Sequence, residues 1–190
     1  MKKNRVAPLA ALAIGLAASL VLSAPLRADQ TAPSTTGPAG IEAKVRHELV
    51  TLPFYSVYDD LNFEVTGDTV TLTGKVMRPT LKSDAEAVVR RIEGVSRVVN
   101  QIEVLPLSSW DNQVRRAVYL TLFTPNSPLF RYGLGADPSI HIIVQNGHVT
   151  LKGTVSNASD KQIAGMYVGQ LFGVFSVTND LSVANGVSAS

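Results

Sequence analysis

Histidines and paired carboxylates are the side chains of this 190-residue chain best suited to hold a metal ion. The three histidines, His47, His141 and His148, are not spaced four apart on a helix, the spacing that places two imidazoles on one metal. Asp59 and Asp60 form the only adjacent acidic pair, in the loop expected between the first helix and the first strand. A solvated turn is a simpler interpretation of that pair than a cation site. The sequence therefore predicts no metal site.

Nucleophiles and cofactor-binding loops also lack their usual surroundings. Ser108, Ser109 and Ser156 are not preceded by the glycine-rich elbow that exposes a hydrolase nucleophile, and no glycine-rich phosphate loop occurs. The chain has no cysteine, which excludes disulfides, thiolate metal ligands and a lipid-modified cysteine. We therefore expect a protein without catalytic residues and without a cofactor.

The segment from 124 to 139 combines aromatic and apolar side chains with an arginine. Such a mixture suits a lipid headgroup boundary, because aromatic rings settle at the membrane interface and arginine binds phosphate. Two arginines on the helix that precedes the segment would add attraction for anionic lipid. The predicted site for a lipid or protein partner consists of Leu129, Phe130, Arg131, Tyr132, Arg115 and Arg116.

The elements that position these residues occur in two copies. Shifting the sequence by 79 residues places VTLTGKV at 70–76 over VTLKGTV at 149–155, and 13 of the 35 positions from 70 to 104 are then identical. Upstream the offset falls to 69, so the second copy carries about ten extra residues near 124–139. The chain is therefore an internal duplication with one insertion.

Each copy shows the same order of patterns. A helical stripe, a hairpin turn at 67–68 or 146–147, a second helical stripe and an alternating last strand follow one another. This order predicts an α+β fold of two tandem α-β-β-α-β modules, each a three-stranded mixed sheet covered on one face by two helices. The first module is expected over 41–105 and the second over 109–184.

Four residues that recur in the two copies have structural explanations. Gly74 and Gly153 interrupt strands, which predicts a bulge or a close approach of a helix. Asn100 and Asn179 lie on the apolar face of the last strands, where a buried amide is expected to bind backbone groups. Neither pair needs a ligand.

The aromatic insertion also allows a packing interpretation. The same loop of the first module, at 53–58, is rich in aromatic residues as well. Leu129, Phe130 and Tyr132 would then fold back and cap the core instead of meeting a membrane. Both interpretations stay open at the level of sequence.

The first 28 residues have the composition of an export signal. A basic start precedes a charge-free run from 9 to 22, rich in Ala and Leu, and Ala28 offers a cleavage site. An uncleaved membrane anchor is the alternative. Residues 29–40 are predicted to be a flexible linker, and 185–190 a disordered tail.

The charge of the exported part excludes one class of partner. Beyond residue 28 the chain has thirteen basic and fifteen acidic residues. A general nucleic-acid binder shows a basic excess, so nucleic acid is not an expected partner.

The repeated pattern resembles the BON domain, a small module of bacterial envelope proteins that often occurs in tandem behind a signal peptide. The hairpin TGDTVTLTGKV at 66–76 and the segment GVSRVVN at 94–100 carry the resemblance in the first copy, and 146–155 and 173–179 carry it in the second. It implies an exported, most simply periplasmic, protein that is not an enzyme.

The resemblance also implies two kinds of function. The leading hypothesis is association with membrane phospholipid or a membrane-bound partner, in support of envelope integrity or tolerance of osmotic stress. The alternative is a soluble periplasmic protein, chaperone-like or structural, that binds other envelope polypeptides.

Overall fold

A computed structural model of the chain describes residues 38–135 and 137–184. The first module has a helix, a hairpin, a second helix and a last strand that is split in two. Its elements are α1 (Pro38–Val50), β1 (Asp60–Thr66), β2 (Thr69–Val76), α2 (Pro79–Arg90), β3 (Arg97–Asn100) and β4 (Glu103–Val104). The first helix begins within the segment for which a flexible linker is predicted.

The second module repeats this order and adds a short 3-10 helix in the insertion. Its elements are α3 (Ser109–Phe123), the 3-10 helix (Phe130–Gly133), β5 (Ile140–Gln145), β6 (His148–Val155), α4 (Ala158–Gly169) and β7 (Ser176–Val183). Of the helices that the structure describes, none combines the length and the apolar character needed to cross a bilayer. The predicted export signal at 1–28 and the predicted tail at 185–190 lie outside the described residues.

Each module contains a mixed sheet. In the first, β1 pairs antiparallel with β2, while β3 and β4 run parallel to β2. In the second, β5 pairs antiparallel with β6, and β7 runs parallel to β6 along its whole length. The two helices of each module pack on one face of its sheet, over a separate apolar core. The predicted α+β fold of two α-β-β-α-β modules is confirmed.

Glycine is required where the two strands of each hairpin approach closely at their open end. A Cβ atom on Gly74 would lie 2.0 Å from the carbonyl oxygen of Asp60, and one on Gly153 would lie 2.1 Å from that of Ser139. Both glycines also have positive φ, at +119° and +115°. The approaching group is the backbone of the same hairpin, so the predicted approach of a helix is wrong for both glycines.

The recurring asparagines join the last strand of each module to its second helix. Asn179 Nδ2 donates to the carbonyl oxygen of Lys161 at 2.7 Å, and its Oδ1 accepts from the Leu181 backbone N–H at 3.4 Å. Asn100 makes the same two contacts in the first module, at 2.9 and 3.1 Å. Their predicted structural role is confirmed.

The loop between α1 and β1 of the first module enters the core of the second. Val57 is buried among apolar side chains of the second module, and its carbonyl oxygen accepts the Ile142 N–H at 2.7 Å. The neighbouring Tyr58 ring lies 6.2 Å from the Tyr119 ring. The second core is therefore completed by a residue of the first module, and the described residues form one compact unit.

Candidate functional site

Arg115, one of the six residues predicted to meet a lipid or protein partner, is buried instead. Its Nη2 donates to the carbonyl oxygen of Val144 at 2.5 Å, and its Nη1 donates to Asn112 Oδ1 at 2.8 Å. Burial lowers the pKa of the guanidinium from its usual value. The expectation of lipid contact is therefore wrong for Arg115, because α3 turns this side chain onto β5.

Leu129 and Tyr132 are buried as well, so the lipid expectation is also corrected for these two residues. Leu129 has no exposed surface, and both side chains belong to the apolar core of the second module. The Tyr132 hydroxyl donates to Asp160 Oδ2 at 2.5 Å and accepts the Ser156 N–H at 2.8 Å. The insertion folds back over the core, as the packing interpretation predicts for them.

The remaining three predicted residues keep some contact with solvent. Arg131 Nη2 pairs with Asp160 Oδ2 at 2.5 Å, and its guanidinium lies 4.7 Å from the centre of the Tyr132 ring. Its charge is thus matched by a carboxylate of its own module. Phe130 is half-buried and Arg116 is exposed. The structure does not bring the six predicted residues together into one exposed site.

The histidines do not converge within the part of the chain that the structure describes. His141 is buried on β5, where its Nε2 lies 3.5 Å from the Tyr55 hydroxyl and 3.9 Å from Asp137. His148 Nδ1 contacts Ser176 Oγ at 2.7 Å on the surface. No group of three potential ligands among the described residues is placed to hold a metal ion.

The adjacent carboxylates are buried, so the expectation of a solvated turn is wrong. Asp59 accepts the backbone N–H groups of Ser56 and Met77, at 3.1 and 2.8 Å. Asp60 accepts Lys152 Nζ at 2.8 Å across the contact between the modules. These carboxylates hold the loop and the two modules in place. That is a structural role.

A polar cleft of about 650 Å³ lies beside the contact between Asp60 and Lys152. Its walls carry further charged side chains from both modules, among them Arg46, Asp137 and Asp180. The cleft therefore carries both acidic and basic groups. No serine, histidine and carboxylate among the described lining residues form a hydrogen-bonded chain, so the cleft offers no arrangement for nucleophilic catalysis.

Exposed apolar side chains are concentrated in the second half of the molecule. Ten large apolar side chains of the described residues are exposed, and nine of them lie within 107–183. The tenth is Phe54, in the first module. The nine are Leu107, Trp110, Tyr119, Leu120, Leu134, Met166, Phe172, Phe175 and Val183.

Three of these side chains form what we call the aromatic tip: Trp110, Phe172 and Phe175. Phe172 is 91% exposed, Phe175 69% and Trp110 41%. The rings of Trp110 and Phe172 meet edge to face with centroids 6.1 Å apart. The aromatic tip lies where the start of α3, the turn between β5 and β6 and the turn between α4 and β7 come together.

The local sequence explains why the two phenylalanines point outwards. In the turn after α4, Leu171 and Val174 pack against the core. Phe172 directly follows Leu171, and Phe175 directly follows Val174. Between them Gly173 takes a positive φ of +89°. A Cβ atom there would lie 2.9 Å from the Trp110 ring, so only glycine lets the turn lie against this ring.

A buried carboxylate holds the base of the aromatic tip. Asp111, at the start of α3, accepts the N–H groups of Asn146 and Gly147 at 2.9 and 2.8 Å. The carbonyl oxygen of Gly147 in turn accepts the Phe175 N–H at 2.9 Å. The three segments that carry the aromatic tip are therefore joined by hydrogen bonds.

The segment that carries Phe172 and Phe175 has no charged side chain. Residues 162–179 contain no Asp, Glu, Lys, Arg or His. The equivalent stretch of the first module, 83–100, contains six charged residues: Asp84, Glu86, Arg90, Arg91, Glu93 and Arg97. Glu93 and Ser96 occupy the positions of Phe172 and Phe175. This contrast is the sequence signal that could have located the aromatic tip.

Comparison with known proteins gives a family match. The family model described as BON domain matches residues 37–106 and 131–185. No curated protein matches the chain. Two solved structures of CdsD, a structural protein of the type III secretion system of Chlamydia trachomatis, are similar at 14% identity. The match to the first structure covers 77% of this chain and 94% of the CdsD chain, with a TM-score of 0.30. The match to the second, a C-terminal domain, covers 74% of this chain and 96% of that domain, with a TM-score of 0.26.

Proposed function

The chain belongs to the BON domain family, and on that basis we propose that it is an exported, non-catalytic binding protein of the bacterial envelope. It associates with membrane phospholipid or with a membrane-bound partner, and so supports the integrity of the envelope under stress. Its location is the periplasm. The second module makes the contact.

One observation carries this proposal: the concentration of exposed apolar side chains within 107–183. Two of these side chains, Trp110 and Phe172, are in direct ring contact. Exposed apolar side chains that adjoin one another mark contacts with proteins or membranes. The first module has the same fold with Phe54 as its one exposed large apolar side chain among the described residues. The fold alone therefore does not require the apolar surface of the second module.

The buried polar groups support a non-catalytic role. The carboxylates of Asp59, Asp111 and Asp160 each accept hydrogen bonds that hold loops or helix ends. Asp60 pairs with Lys152 between the modules. A catalytic carboxylate must instead reach a substrate. These four groups are engaged in the fold.

Vesicle co-sedimentation of residues 29–190, which include every described residue, tests the proposal. We expect the protein to be recovered with phospholipid vesicles. The variant Phe54→Ser, on the surface of the first module, is the control. Because it lies outside the second module, Phe54→Ser should bind as wild type does. No binding to vesicles of any lipid composition would overturn the phospholipid half of the proposal.

The rival function is that of a soluble chaperone-like or structural protein that binds other envelope polypeptides. Exposed apolar side chains would serve that function too. The two are separated by adding an unfolded client protein in the absence of lipid. Suppression of client aggregation together with no vesicle binding would favour the rival.

A further inference from the structure

We propose that the aromatic tip is the part of the molecule that enters the membrane, and that it recognises the uncharged interfacial region of a phospholipid bilayer. This inference rests on the proposed function and deepens it. It assigns the contact to Phe172 and Phe175, with Trp110 beside them. It assigns the attraction to burial of apolar surface and not to the charge of the headgroups.

The shape of the aromatic tip suits a bilayer. Phe172 and Phe175 project from a turn. Phe172 is the most exposed of the three residues, at 91%. A projecting ring needs a partner that can surround it. A bilayer interface deforms around inserted side chains, and aromatic residues are favoured there.

The aromatic tip is held in place before any partner arrives. Asp111 binds the turn between β5 and β6, Gly147 binds Phe175, and Gly173 lies against Trp110. Insertion then requires little ordering of the backbone, so most of the free energy from apolar burial remains available for binding.

The distribution of charge favours an attraction that does not depend on the headgroups. Within 162–179 there is no charged side chain to attract or repel a headgroup. Two of the three arginines predicted to attract headgroups are engaged within the fold: Arg115 is buried against β5, and Arg131 is paired with Asp160. The third, Arg116, is exposed. Affinity for the membrane is therefore expected to depend weakly on lipid charge and on salt.

The two modules differ at the positions of the exposed phenylalanines. The first module places Glu93 and Ser96 where the second has Phe172 and Phe175. These polar residues are compatible with the same turn. The aromatic rings are thus not needed to form the turn, and a role in binding accounts for them.

The same comparison supplies the variant for the test. Phe172→Glu with Phe175→Ser introduces the residues that the first module carries at these positions, so the turn should still form. Phe54→Ser is the matched control, since Phe54 is 65% exposed and lies in the first module. Thermal unfolding of each variant checks that the fold is kept. If the double variant loses stability, Phe172→Glu alone replaces it.

We measure partition of residues 29–190 onto vesicles of zwitterionic phosphatidylcholine, and onto vesicles that also contain anionic phosphatidylglycerol. Salt is varied from about 0.05 M to about 0.5 M, which removes most surface electrostatic attraction. Wild type and Phe54→Ser should bind both vesicles, with little effect of salt. The double variant should bind at least about tenfold more weakly, the loss expected from removing two inserted rings.

Other results overturn the inference in distinguishable ways. The protein could bind anionic vesicles only, lose this binding at high salt, and bind equally well as the double variant. That result would support membrane association but would show that the aromatic tip does not cause it. Absence of vesicle binding by wild type would overturn the proposed function as well. Loss of client binding in the double variant, without vesicle binding by wild type, would assign the aromatic tip to a protein partner.

Discussion

The carboxylate of Asp111 accepts the backbone N–H of Gly147 at 2.8 Å, and this contact joins the start of α3 to the turn between β5 and β6. Asp111 has no exposed surface. The contact therefore lies beneath the aromatic tip and fixes two of the three segments that form it.

Asp111→Ala should destabilise the protein by about 2–3 kcal/mol, because two buried backbone N–H groups lose a charged acceptor. Denaturant unfolding measures the change. Gln113→Ala, at an exposed position on the same helix, is the control and should change stability by less than about 0.5 kcal/mol. Equal stability of the two variants would contradict the role assigned to Asp111.

Val57→Ala tests whether the first module completes the core of the second. Removing two buried carbon atoms should cost about 2 kcal/mol. Trp110, the one tryptophan of the chain, lies in the second module and reports its unfolding by fluorescence. We expect the unfolding transition that Trp110 fluorescence reports to shift to a lower denaturant concentration, although the substitution lies in the first module. An unchanged Trp110 transition would show that the two modules unfold independently.

The pair of Asp60 and Lys152 crosses the contact between the modules at 2.8 Å. Lys152→Ala should lower the free energy of unfolding by about 1–2 kcal/mol, because the buried Asp60 carboxylate then keeps the hydrogen bond from the Asn62 amide but loses its charged partner. The lysine is partly exposed, which limits the loss. Lys44→Ala removes a pair at 4.0 Å with an exposed glutamate, and should cost less than about 0.5 kcal/mol.

A double-mutant cycle separates the pair from its surroundings. Asp60→Asn with Lys152→Ala should lose less stability than the sum of the two single variants, since each single change leaves a polar group without its partner. Strict additivity would mean that the two side chains do not interact in solution.

Tyr55 gives the protein a stability term that depends on pH. Burial, with Asp137 and Asp60 nearby, raises the pKa of the phenol above its ordinary value of 10.0. The folded state therefore holds this proton more tightly than the unfolded state does. The resulting stability is complete below pH 10 and is lost as the pH rises above that value.

Tyr55→Phe should remove this term. We expect the wild type to lose stability faster than the variant between about pH 10 and pH 11, by at most about 1.4 kcal/mol per pH unit. Urea unfolding at pH 8 and across this alkaline range measures the difference. Parallel pH profiles for the two proteins would show that the phenol is not held in its neutral form.

Periodicity and repetition were sufficient to predict most of the fold. The turns at 67–68 and 146–147 and the amide contacts of Asn179 follow from local chemistry that recurs in both modules. The insertion of Val57 into the second core does not follow from local sequence. It depends on how two modules pack, and one residue in a loop gives no periodic signal.

The candidate site was harder to predict for a physical reason. Arg115 and Tyr132 have the composition of a membrane contact, but their long side chains bury their apolar parts and satisfy their polar ends inside the module. Composition cannot distinguish that outcome from exposure. The absence of charge over 162–179 was visible in the sequence, and its contrast with 83–100 was the more informative pattern.

Fluorescence of Trp110 on addition of phosphatidylcholine vesicles tests the central claim most directly, because the one tryptophan of the chain lies in the aromatic tip. The account predicts a shift of its emission to shorter wavelength, quenching by lipids brominated in the acyl chains, and loss of both effects in Phe172→Glu with Phe175→Ser. Vesicle binding that leaves the Trp110 emission unshifted and unquenched would contradict it.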